Sequence, residues 1–578
     1  MNDTRNMILA VVLSAMVLLG WSYVSEYFLP APPPTAATAD NGQSGPLPPT
    51  TADTAPGATV TPAGPAALRT RAQVLGEGPR VRIDTPSLKG SINLRGARLD
   101  DLVLVRERQE IADNSPAVRL LSPAGARGAY FASFGWSGQG GVAAPPADAV
   151  WTASAPVLTP QRPVTLGWAS PTGQRFELIV SVDDNYLFTV RQRVANTSAN
   201  TIAVRPYGLV SRAAQSEDPD GWTMHVGPMA YFNGAANYDV DWDDLDEAGA
   251  SGQRFDSRGG WLGFTEKYWL TALAPAPGAS IAASFRRAPG GAYQADYAGA
   301  PIIVAPGTAV SSEVRLFAGA KEKKLLDRYE AAGIPKLSKA IDWGWFEWFM
   351  RPIFDLLNWL FKTTGNFGVA IICLTFIVRL LMFPIAQKQF QSMAAMRKIQ
   401  PKLKAVQERY KDDKARQQQE ILKLYQTEKI NPAAGCLPIL LQIPIFYALY
   451  KVLMVAVEMR HQPFALWIKD LSAPDPLTPL NLFGLLDFTP PGFLAIGVLP
   501  ILLGITMWMQ FKLNPQQMDP MQQQIFAIMP WVLMFVMAPF ASGLQLYWVT
   551  SNILTIAQQW WLYRRFGLHL SDTHPVKT

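Results

Sequence analysis

The chain has little cysteine, little histidine and little charge. Its two cysteines, Cys373 and Cys436, cannot build a disulfide framework, and they fall in different apolar segments at different expected depths, so no bridge between them is expected. Four histidines, His225, His461, His569 and His574, cannot make an H-E-x-x-H metal site, and the absence of any Gly-Lys dipeptide excludes a P-loop and nucleotide hydrolysis by that route. Asp239, Asp241 and Asp243 begin like a calcium loop, but Asp244 stands where the turn glycine belongs and Ala250 where the bidentate glutamate belongs, so a solvated loop is expected. No cofactor is implied. Charged residues make up 17% of the chain, below the roughly 25% of ordinary globular proteins, while 49% are hydrophobic. That balance points to a membrane protein with a substantial soluble part.

The hydrophobicity is concentrated at the two ends. Apolar runs place candidate spans at residues 7 to 29, 366 to 385, 435 to 457, 493 to 511, 525 to 541 and 543 to 563, a polytopic α-helical membrane protein with six transmembrane helices. The first, residues 1 to 29, reads as an uncleaved anchor, since no A-x-A-like site follows it and Trp21, Tyr23, Tyr27 and Phe28 form an interfacial aromatic belt. Residues 30 to 72 form a linker, with ten prolines before residue 69. Residues 73 to 340 turn to a two-residue period. Phe176, Leu178, Val180 and Val182 alternate with other residues, Asp183-Asp184-Asn185 makes a turn, and Tyr186, Phe188, Val190 and Val194 resume the pattern, which predicts hairpins in an antiparallel β-sandwich. In residues 341 to 365 the polar Glu347, Arg351, Asp355, Asn358 and Lys362 recur every three or four positions, one stripe on an otherwise apolar helix that suits the membrane surface or an ordinary packed position. Residues 366 to 566 hold five spans, and residues 567 to 578 a short tail.

Charge orients these pieces. Residues 387 to 431 carry eleven Lys/Arg against five Asp/Glu, a net +6, whereas 458 to 492 carry two against four, a net −2. Positive loops stay inside, so both termini are expected in the cytoplasm and the sandwich across the membrane. The +6 segment has helical periodicity on both sides of Asp412-Asp413 and reads as a helical hairpin; its basic surface suits anionic lipid, ribosomal RNA or simply the topology rule.

Arg379 is a permanent charge inside FGVAIICLTFIVRLLMFP, the run from Phe367 to Pro384. Such a residue costs roughly 2.5–3.5 kcal/mol at the centre of a span, so it must line a wet cavity, find a partner or snorkel. At ~1.5 Å per residue from Pro384 it lies roughly 8 Å inside the nearer end, within snorkelling reach. In the last span Gln545, Trp548, Asn552, Thr555 and Gln559 form one polar stripe, which either ties helices together or lines a path; Thr375 and Gln442 add polar groups. Lys451, close to the outer end of its span, is expected to snorkel.

Several long motifs in order, TFIVRLLMFP from Thr375, NPAAGCLPILLQIPIFYALY from Asn431, FALWIKDLSAPDP from Phe464, DPMQQ from Asp519 and SGLQLYWVTSN from Ser542, resemble the YidC membrane-protein insertase family, as do the anchor, linker and large β domain of its Gram-negative form. The resemblance implies a five-helix core around a hydrophilic groove, open to the cytoplasm and to lipid, with Arg379 as its charge. It assigns substrate contacts to Thr375, Phe446, Leu503 and Trp548, although a methionine and a tyrosine are more familiar at the last two positions. With Gln442, Gln545 and Asn552, these make the candidate groove. The resemblance further implies a bacterial inner-membrane protein, not an enzyme, with a periplasmic sandwich. Its implied partners are nascent membrane proteins, the Sec translocon with its accessory subunits, the ribosome through the basic hairpin and tail, and the lipid bilayer, with no DNA. From the residues alone, a solute transporter using Arg379 as an anion site and an envelope glycan-acting enzyme using the sandwich stay open.

Overall fold

The computed structural model describes residues 69–565 except 113, 140–141, 219–223, 345, 412, 429–436, 484, 487–494 and 514–519. The expected anchor, nearly all of the linker, Cys436 and the C-terminal tail lie outside the described residues.

The two-residue period becomes strands with one buried edge. Strands β1 (Tyr130–Gln139), β2 (Gln174–Val182), β3 (Leu187–Asn196), β4 (Ile202–Arg212), β5 (Tyr293–Gly299) and β6 (Ala309–Ala320) form the centres of two sheets. β2 and β3 pair from Phe188 opposite Val182 to Asn196 opposite Gln174, and Phe176, Leu178, Val180 and Val182 all point into the core. The hairpin closes where expected because the Asp183 carboxylate accepts the amides of Asn185 (2.9 Å) and Leu187 (3.0 Å), an Asx turn.

Among the described residues one sheet has eleven strands with β5, β4 and β1 adjacent, the other nine with β6, β3 and β2 adjacent. Pairing is antiparallel throughout except at one edge of the larger sheet, where Arg82 and Ile83 run parallel to Val157 and Leu158. Apolar side chains of both inner faces merge into one core. A polar tie crosses it: buried Gln192 of β3 donates its Nε2–H groups to Gly135 O (2.7 Å) and Tyr207 O (2.9 Å) of the opposite sheet.

The acidic run is not a bare loop. Asp241 caps a short helix, Trp242–Ala248, its side chain accepting the Asp244 amide at 2.8 Å while Asp244 reaches back to the Asp241 amide at 3.1 Å. Those carboxylates are used for capping, and the helix holds Trp242 stacked on Phe264 at 5.5 Å.

Helix α1 (Lys323–Ala331) leads from the sandwich to the helical region. There follow α2 (Glu347–Thr364), α3 (Phe367–Arg409), α4 (Lys414–Thr427), α5 (Leu437–Val455), α6 (Val498–Leu513), α7 (Pro520–Met537) and α8 (Ser542–Arg565). Gly365, at φ 71°, takes the left-handed turn between α2 and α3. The α2 stripe divides: Glu347 pairs with Arg351 at 3.0 Å, Asp355 receives Lys323 at 3.0 Å, and Asn358 is buried. Trp348 and Trp359, 73% and 60% exposed, carry the outward face instead.

Helix α3 does not stop at Pro384; its 43 residues run through both Pro384 and Pro401, so the second span and the first arm of the basic hairpin are one rod. Within it Phe367–Lys388 is long and apolar enough to cross a membrane, whereas Gln442–Val455, Val498–Leu513 and Ala527–Met537 are shorter apolar helices. Of the span expected from 493, the described residues 495–497 are not helical and helix begins at Val498, and the span expected to reach 541 leaves helix at Met537.

Candidate substrate groove around Arg379

Asn366 starts α3 by accepting the Val369 amide at 3.1 Å, and Gly368 allows the helix to approach the Phe464 side chain, whose ring a Cβ there would meet at 2.0 Å. The first turns are buried through Phe367, Ala370, Ile371 and Leu374, while Phe376, Leu380 and Leu381 are 58–66% exposed. Arg379 lies at the border, half-buried. Its Nε donates to Ser551 Oγ of α8 at 3.0 Å, and Nη2 donates to the same oxygen. Among the described residues no carboxylate forms an ion pair with Arg379; its direct partner is a hydroxyl. A hydroxyl offers a dipole where a carboxylate would cancel the charge, so the guanidinium keeps a net positive field.

The polar line continues along α8. Tyr547, one turn before Ser551, accepts from Gln442 Nε2 at 2.7 Å. One turn after Gln442 on α5, the Phe446 ring packs against Trp548 with centroids 4.7 Å apart and planes tilted by 50°. Arg379, Ser551, Tyr547, Gln442, Phe446 and Trp548 thus bring α3, α5 and α8 together, uniting four of the eight residues selected from sequence.

The other four have different surroundings. Thr375 is fully buried, and its Oγ1 donates to Ile371 O at 2.7 Å within its own helix. Leu503 is fully buried on α6. Asn552 donates to Thr506 Oγ1 at 3.1 Å, joining α8 to α6. Gln545 Nε2 reaches Met537 O (2.8 Å) and Phe540 O (2.9 Å), holding the turn between α7 and α8. Gln545 and Asn552 of the sequence stripe therefore act between helices, Thr555 bonds back to Ser551 O within α8, and Trp548 is the member beside the arginine cluster. Ser551 and Tyr547 were not singled out as site residues. Their signal is the Tyr547/Ser551 spacing of four, one position before Trp548/Asn552 in SGLQLYWVTSN.

Lys451 does not snorkel. It is 1% exposed, and its ammonium donates to Asp342 at 3.1 Å. The chain descending from the sandwich covers the end of α5, and a buried ammonium requires a counter-charge there.

Two family matches divide the chain between them: residues 80–356 match the YidC periplasmic domain and 359–568 the 60Kd inner membrane protein family. The membrane protein insertase YidC of Zymomonas mobilis is 50% identical, with 98% of this chain and 96% of that protein covered. The chain belongs to the YidC family of membrane protein insertases. The insertase of Methylobacterium nodulans is 43% identical over 100% of this chain and 98% of its own length. A crystal structure of an active YidC insertase with its first transmembrane domain resolved is 18% identical, with TM-score 0.35, covering 84% of this chain and 95% of that one. Family membership makes this an inner-membrane protein with a periplasmic domain and an insertase in place of an enzyme, and it removes the transporter and glycan-enzyme readings.

Proposed function

We propose that this chain inserts membrane proteins by receiving the hydrophilic tail of a nascent span beside Arg379, while the span itself moves laterally into lipid. The observation that carries this reading is the Arg379–Ser551 contact: a fixed guanidinium, held by a hydroxyl at 3.0 Å and left without a carboxylate among the described residues. The half-buried Gln442 and Trp548 extend the polar line, tied through the buried Tyr547, with Phe446 against Trp548 for apolar contact.

The energetics require no nucleotide. A segment of about 20 apolar residues gains on the order of 6–12 kcal/mol in lipid, while one acidic residue in a translocated tail costs roughly 3 kcal/mol. Insertion is downhill, and its obstacle is the barrier to moving the tail. A cationic, partly wet surface at mid-depth shortens the apolar path and gives an acidic tail a transient partner.

Six spans with both termini cytoplasmic, five of them around the groove, complete this proposal. So do contacts with the Sec translocon and, through the basic residues 387 to 431 and the tail, with the ribosome; the uneven charge of the loops supports the topology, and the net +6 of residues 387 to 431 suits ribosomal RNA. The test is insertion of a small, acidic-tailed, single-span protein into liposomes holding only this protein, read by protease protection. Protection with the natural chain and its loss with Arg379→Ala supports the reading; equal protection by both overturns it.

A further inference from the structure

Between α5 and α6 the chain makes a closed excursion on the sandwich side of the helices, where Arg460 of the same connection donates to Arg108 O (2.6 Å) and Gln109 O (3.0 Å). The neck is tied at Asp475, which is 3% exposed. Its carboxylate accepts the amides of Leu477 (3.0 Å) and Leu499 (2.7 Å) and the Trp467 indole N–H (2.9 Å), and the Val498 amide returns to Leu477 O at 3.1 Å. Beyond the neck the chain folds into a knob. Thr478 caps the turn Pro479–Asn481, and the amides of Leu482, Phe483 and Leu486 reach the carbonyls of Pro479, Thr478 and Asn481 at 3.0, 2.9 and 3.0 Å.

Leu480, Leu482, Phe483, Leu485 and Leu486 project from this knob, each between 47% and 84% exposed. Leu482 and Phe483 hold left-handed backbone, φ 49° and 58°, which non-glycine residues adopt at a cost. From Leu471 to Leu486 the sole charged residue is Asp475, which is held inside the neck; Asp487, next in sequence, lies outside the described residues. Among the described residues beyond the neck the polar side chains beside the apolar ones are the neutral Thr478 and Asn481, a poor match to the charged and polar rim of a protein-binding patch. Backbone groups satisfied within the segment and apolar side chains turned outward are what the lipid boundary demands. The neck also opens directly onto α6, where Leu502, Ile505, Trp508 and Met509 are 38–43% exposed and continue the apolar surface.

We infer that the knob formed by Leu480, Leu482, Phe483, Leu485 and Leu486 embeds in the headgroup–acyl boundary of the periplasmic leaflet and anchors the α5–α6 connection to lipid. Anchored there, it fixes the outer end of α6 beside the groove without a protein partner.

The test uses the full chain with Cys373→Ser and Cys436→Ser, a single bimane label at Phe483→Cys, and one copy per phospholipid nanodisc. Lipids carrying a nitroxide on an upper acyl carbon should quench the label roughly twofold or more beyond a label at the exposed control Lys469→Cys, with iodide quenching correspondingly weaker. Leu485→Cys repeats the reading from a position 84% exposed, where little packing can be lost. Iodide quenching at 483 and 485 equal to that at 469 would place the knob in water and overturn the inference. Protection from both quenchers would place it against protein and overturn it as well.

Discussion

Lys451 of α5 and Asp342, 109 residues apart in sequence, meet at 3.1 Å where the segment from the sandwich lands on the helices. The ammonium is 1% exposed while the Asp342 carboxylate is partly exposed, so the pair joins the two halves of the protein with its cationic end closed to water. Removing one partner strands the other charge. Asp342→Leu, which strands the buried ammonium, should lower stability by about 3–5 kcal/mol, whereas Asp342→Leu combined with Lys451→Met should recover most of that loss. Thermal unfolding in detergent measures both; equal losses for the single and double variants would show that the pairing does not matter.

Arg379→Ala should slow insertion of an acidic-tailed substrate about tenfold or more, while Arg379→Lys keeps the charge and should stay within about threefold. A neutral-tailed substrate should distinguish the variants far less. Single-turnover protease protection with matched substrates is the measurement.

Ser551→Ala should have an intermediate effect. It removes the oxygen that holds Arg379 Nε at 3.0 Å but not the charge itself, a loss of about 1 kcal/mol in positioning. Insertion should fall several-fold, and the Ser551→Thr variant, which retains a hydroxyl, should restore it.

Glu458, just beyond α5, makes the junction sensitive to pH. Its Oε1 accepts the Lys323 amide at 3.2 Å, its Oε2 is buried with no partner, and Glu322 lies close enough to repel it. Burial pushes its carboxyl from the ordinary 4.5 up to about 7. The folded protein therefore holds a proton that the unfolded chain releases, and stability should fall by roughly 3 kcal/mol as pH rises from about 4.5 to 7, then level off. Buried Lys321, which donates to Thr265 Oγ1 at 2.9 Å, works in the opposite direction at higher pH. Its ammonium is brought down to about 8 by burial, so stability should climb between about 8 and 10.5. Unfolding curves from pH 4 to 8 should flatten in Glu458→Gln; an unchanged slope would assign the titration to another group.

Gln545→Ala should loosen the α7–α8 turn by about 1–2 kcal/mol, because Met537 O, which is buried, and Phe540 O lose their donor. Hydrogen exchange confined to residues near that turn is the expected signature, with the Arg379 cluster unaffected.

The β2–β3 hairpin was legible because its information is local: alternation sets the buried face, and Asp183 sets the turn by accepting the amides two and four residues on. Phe446 and Trp548 are candidates through the family resemblance, and a 4.7 Å ring contact brings them together. Other features were opaque. A proline reads as a helix end, yet α3 passes through Pro384, since helical residues continue on both sides of the missing amide. Asp241 read as a loop residue because capping depends on backbone conformation at one position, φ −110° and ψ −177°.

Apolar run length, charge asymmetry between loops, two-residue alternation and the motif strings determined, from sequence alone, a membrane protein with a β-sandwich and an arginine inside a long apolar segment. Those properties reside in segments, where each residue's hydrophobicity or charge acts with its near neighbours. Which polar side chains join helices, which hydroxyl holds Arg379 and which carboxylate receives Lys451 were decided only by tertiary structure. Each is a contact at a few ångströms between residues far apart in the chain, and a shift of one helical turn would exchange the partners while leaving every local pattern unchanged.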